Sequence, residues 1–80
     1  RNWNNGYSTG GSVDQETFNL SIRKFLKMVG VNSQREIEQA VQKALEGKRL
    51  QGDETLAAKV TLELPALGLK VPFEGEIRLK

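Results

Sequence analysis

The sequence predicts an α+β fold in chain order α-α-β-β, a helical hairpin packed on one face of a two-stranded antiparallel hairpin. Three observations predict it. Apolar residues recur with helical spacing between Phe18 and Leu45. A glycine and a short polar turn, "GVNS" at residues 30–33, divide that stretch in two. From Val60 to Leu79 the period changes to strict alternation, the mark of strands with one apolar face each.

The first helix is expected from about Gln15 to Val29. Phe18, Ile22, Phe25, Leu26 and Val29 fall on one face of a 3.6-residue period. Asp14 suits the N-cap, and Val13 with Phe18 has the spacing of a hydrophobic staple. Ser12 with Gln15 is a competing capping box. Gly30 suits the left-handed residue that ends a helix. The second helix, residues 34–46, is expected to start at the capping box "SQRE", Ser33 to Glu36. Ile37, Ala40, Val41, Ala44 and Leu45 form its apolar face, and Gly47 closes it.

The hairpin can be placed in register. Closing the loop "PALG", residues 65–68, at Leu64 and Leu69 sets Leu62 opposite Val71 and Val60 opposite Phe73. On the other face Glu63 meets Lys70 and Lys59 meets Glu74, so opposite charges lie across from each other twice. Pro72 has no N–H, so it must stand at a pair that makes no ladder bonds. A four-residue loop closed by a bonded pair puts it there. Its nitrogen then faces outward and blunts the free edge of the second strand.

Residues 1–12, "RNWNNGYSTGGS", are poor in apolar anchors and are read as a disordered tail, native or artificial. Residues 13–80 form the single domain. Arg1 is not an initiating Met, so a fragment or processed form is expected.

The residues also resemble a known family. "DQETFNLSIRKFLKMVGVNSQREIEQAV", then "LQGDETLAAKVTLEL" and "FEGEIRL", are similar to small bacterial proteins classed as a domain of unknown function. The similarity spans roughly residues 14–79, and the tail lies outside it. The resemblance implies these domain boundaries and a bacterial, cytoplasmic origin. It transfers no activity and no functional residue.

Composition narrows the chemistry. The 80 residues include no Cys and no His, which removes thiolate chemistry, the commonest general base and the commonest zinc ligand. Twelve basic and ten acidic residues leave a net charge of +2, interspersed along the chain rather than gathered in a patch. No apolar run approaches membrane-spanning length. Asp53 and Glu54 are adjacent on a loop, and two carboxylates are too few to hold a hard cation. No catalytic, cofactor-binding or metal-binding residue is assigned, and no cofactor is expected.

Two surfaces remain. In a helix-turn-helix reading, Arg35, Gln39 and Gln42 would face DNA bases and the hairpin would serve as a wing. Against it, Glu36, Glu38 and Glu46 outnumber Arg35 and Lys43 on the same helix, and the turn spacing is one residue too long. Nucleic acid and membrane are therefore not the expected partners. The preferred reading is a cytoplasmic, non-enzymatic protein-interaction or self-assembly module. A two-stranded sheet is marginal alone, and its first strand has no proline guard. Two outcomes are equally compatible with the sequence: a homodimer edge at Val60, Thr61, Leu62, Glu63 and Leu64, or a monomer whose loop "KRLQGDE" covers that strand.

Overall fold

The computed structural model describes residues 13–80. The expected tail, residues 1–12, lies outside the described residues. The elements are one α-helix, Gln15–Glu46 (α1), and two strands, Thr55–Leu64 (β1) and Leu69–Arg78 (β2), joined by a 3-10 turn at Pro65–Leu67. The described residues divide into two units that meet between Glu38 and Gln39, inside α1.

The α+β class stands, but the α-α-β-β order does not. α1 is one helix of 32 residues that runs through "GVNS" without a turn. No helical hairpin exists to form the expected layer over the sheet. The reason is local. Every residue of "SQRE" is tolerated inside a helix as well as at its start, and no proline interrupts the stretch. Gly30 does not take a positive φ, and nothing lies within 4 Å of where its Cβ would be. A lone glycine costs a helix about 1 kcal/mol, which a long run of unbroken i→i−4 bonds can bear. Side-chain pairs bridge the region. Arg35 Nη1 donates to Asn32 Oδ1 at 3.4 Å, and Gln34 Nε2 donates to the Glu38 carboxylate at 3.1 Å.

Both ends of α1 are capped. Asp14 is the N-cap, as expected. Its Oδ1 accepts from the backbone N–H of Glu16 at 3.2 Å and of Thr17 at 3.4 Å. Its Oδ2 accepts from the Thr17 hydroxyl at 3.0 Å. At the other end Lys48 N–H bonds the Leu45 carbonyl at 3.1 Å, and Arg49 N–H bonds the Ala44 carbonyl at 2.8 Å. That is a Schellman motif, and its left-handed residue is Lys48, at φ 62°, not Gly47. The glycine stands one position too early to relieve the strain.

β1 and β2 pair antiparallel in the register the side-chain pattern predicts: Leu62 with Val71, Val60 with Phe73, Thr61 with Pro72, and Leu64 with Leu69 at the loop. Gly68 supplies the left-handed turn residue, at φ 65°. β1 begins at Thr55, earlier than the alternation from Val60 suggested, because Leu56 and Ala58 extend the apolar face.

Two substitutions test the helix. Gly30→Ala is expected to stabilise α1 by about 1 kcal/mol, raising the midpoint of a far-UV circular dichroism melt by roughly 5 °C. If Gly30 ended a helix in a left-handed conformation instead, the same change would lower the midpoint. Lys48→Gly is expected to raise it too, by relieving a left-handed non-glycine residue that costs roughly 1 kcal/mol.

Candidate interaction surface

The hairpin sorts its side chains by parity. Leu56, Ala58, Val60, Leu62 and Leu64 share a face with Leu69, Val71, Phe73, Gly75 and Ile77. The opposite face carries Thr55, Ala57, Lys59, Thr61 and Glu63 of β1 with Lys70, Pro72, Glu74, Glu76 and Arg78 of β2. Leu56, Ala58, Leu62, Val71 and Ile77 are half-buried, whereas Val60 and Phe73 at the centre of the same face are 48% and 57% exposed.

One bond sets the phase of the ladder. Leu79 N–H donates to the Glu54 carbonyl at 3.0 Å, so Glu54 and Leu79 are a bonded pair one step beyond the strands. Alternation then makes Thr61 and Pro72 a non-bonded pair. The missing donor of Pro72 faces away from β1, as the sequence required. By the same alternation the N–H and C=O groups of Thr55, Ala57, Lys59, Thr61 and Glu63 face outward on β1. The described sheet has two strands, so both outer rows lack a strand neighbour. Of the expected edge residues, Thr61 and Glu63 present backbone groups outward, while Val60, Leu62 and Leu64 pair inward with β2 and contribute their side chains. Thr55, Ala57 and Lys59 belong to the same outward row. The early alternation of Leu56 and Ala58 was the signal for them.

α1 carries a second apolar surface. In residues 13–38, Phe18, Ile22, Phe25 and Leu26 are 40–53% exposed and Val29 is half-buried. In residues 39–80, Val41 and Ala44 on α1 are half-buried. Among the described residues none is buried. Arg35, Gln39 and Gln42, the candidate base readers, lie on one side of α1 at i, i+4 and i+7. Two of them are engaged within the helix: Arg35 with Asn32, and Gln42 Nε2 with the Glu46 carboxylate at 3.0 Å. The turn that would present them as a recognition helix is absent, so the helix-turn-helix reading fails on geometry.

Among the described residues, no group of three or more His, Cys, Asp or Glu side chains is placed to hold a metal ion, and no helix is long and apolar enough to cross a membrane. The Asp53–Glu54 pair is a loop device. The Glu54 carboxylate accepts from Gln51 N–H at 2.8 Å and from Gly52 N–H at 3.0 Å, closing the turn that carries Gly52 at φ 107° into β1. Those two backbone donors hold the Glu54 carboxyl below its ordinary range. A carboxylate more acidic in the folded than in the unfolded chain stabilises the loop above its unfolded pKa and ceases to do so as pH falls through the folded value. In an NMR titration the Gln51 and Gly52 amides should therefore move with a midpoint below that of an ordinary glutamate, and stay still in Glu54→Gln. A midpoint at or above the ordinary value would show that the two bonds do not form.

No curated protein and no solved structure matches the chain significantly. A family model, described as a family of unknown function, matches residues 13–80, which is the whole described region. The chain thus belongs to the family of unknown function DUF6494.

Proposed function

We propose that this domain is a non-enzymatic interaction module that assembles with a second copy of itself through β1. The observation that carries the reading is the state of its apolar residues. The large apolar residues of the strands are sorted to one face of the hairpin, yet none of the described residues is buried. Sorting of that kind is the usual preparation for burial, and an open, ordered apolar face on a small domain marks an interaction site. A two-stranded sheet gains most from further strands, and only β2 carries a proline on its outer row. A cytoplasmic setting accompanies this reading, since the domain depends on no disulfide.

Sedimentation of the wild type should give a mass above the monomer that rises with concentration. Thr61→Pro removes an outward N–H without touching the bonds between β1 and β2, so it should weaken association at least tenfold while circular dichroism shows the hairpin retained. A wild type that stays monomeric at high concentration overturns the reading. A variant that associates as well as the wild type moves the interface away from β1.

A further inference from the structure

We propose that two copies join β1 to β1 antiparallel, in one register, with Thr61 facing Thr61 at the two-fold axis. The inference rests on the assembly reading above and adds its geometry.

The constraint is threefold. First, only the residues whose backbone groups face outward can form the new ladder, which on β1 are the odd positions from Thr55 to Glu63. The new bonded pairs must therefore join odd residues to odd residues. Second, a symmetric pair of identical strands places each residue i opposite a fixed complement, so choosing the residue on the axis settles every other pair. Third, the charges of β1 discriminate among the choices. Lys59 and Glu63 stand at equal distances on either side of Thr61. With Thr61 on the axis, Lys59 faces the partner's Glu63 and Glu63 faces the partner's Lys59. With Lys59 on the axis, lysine faces lysine, and with Glu63 on the axis, glutamate faces glutamate. Axes at Val60 or Leu62 pair neither charge with its opposite.

The register centred on Thr61 fits the rest of the hairpin. Lys59 already stands opposite Glu74, and Glu63 opposite Lys70, across the intrachain ladder. The four-stranded sheet then reads Glu74, Lys59, the partner's Glu63 and the partner's Lys70 in one row, with charges alternating throughout. On the other face Val60 meets the partner's Leu62, so Phe73, Val60, the partner's Leu62 and the partner's Val71 form one apolar row. A two-fold axis perpendicular to the sheet keeps the two apolar faces on the same side. Three bonded pairs form, at 59 with 63, 61 with 61 and 63 with 59, each supplying two N–H···O=C bonds. β2 cannot match this register: Pro72, which stands opposite Thr61, is second of the five residues in its outward row and has no N–H to give.

Cysteine cross-linking tests the register, because the chain has no cysteine of its own. Residues directly opposite in a bonded antiparallel pair have Cα atoms about 5.5 Å apart, within disulfide reach. Oxidised Thr61→Cys is expected to run as a covalent dimer. Glu63→Cys alone is expected to stay unlinked, because its two copies stand four positions apart along the strands. Lys59→Cys mixed with Glu63→Cys is expected to give a covalent heterodimer, which tests the same register should Thr61→Cys fail to fold by circular dichroism. If sedimentation shows dimers and Glu63→Cys links to itself, or if neither Thr61→Cys nor the mixed pair links, the register is overturned while self-assembly stands. If the wild type is monomeric at high concentration, both fall.

Discussion

The missing N–H of Pro72 is the constraint on which the hairpin depends. A proline inside a strand can be accommodated only where no ladder bond is needed. Opposite Thr61 that condition is met, and the single bond from Leu79 to Glu54 reports the phase that meets it. Once the phase is set, every other property of the hairpin follows. Even residues of β1 and odd residues of β2 share the apolar face, the charged residues share the other, and the outward backbone groups of β1 fall at odd positions. A shift of one residue would mix apolar and charged residues on each face and turn the donorless nitrogen of Pro72 toward β1.

The helix obeys a different balance. Glycine and asparagine close together are common where a helix ends, and a capping box such as Ser33 to Glu36 is common where one begins. None of these residues prevents a helix. Their preferences amount to about 1 kcal/mol or less each, and the bonds from Arg35 to Asn32 and from Gln34 to Glu38 act in the other direction. Continuity wins, and with it the possibility of a recognition helix set off by a turn disappears. At the C-terminal end the balance is less favourable, since the left-handed residue is Lys48 while Gly47 sits beside it in a conformation any residue could take.

The absence of a buried residue among those described connects fold and function. Patterned apolar faces exist in the chain, and burying them stabilises a domain by roughly 25 cal/mol per Å². Phe73 and Val60 at the centre of the sheet face, and Phe18, Ile22 and Phe25 on α1, remain substantially exposed. The proposed pairing along β1 would bring two of the sheet faces into one.

Local patterns alone determined the types of the elements, the Asp14 cap and the β1–β2 register. These are properties of neighbouring residues and of a period-2 alternation that a proline and two opposite-charge pairs leave only one way to align. The candidate edge was legible for the same reason, though its first residues, Thr55 to Lys59, were hidden because small side chains at Ala57 and Ala58 weaken the alternation. The tertiary structure decided three things. It joined the two expected helices into α1, because cap signals are permissive and do not compel a turn. It put the left-handed cap on Lys48, because the end of a helix is set by its last carbonyl bonds and not by the nearest glycine. It also left Val60 and Phe73 at the centre of the sheet face exposed, because no local spacing encodes how far a side chain is buried.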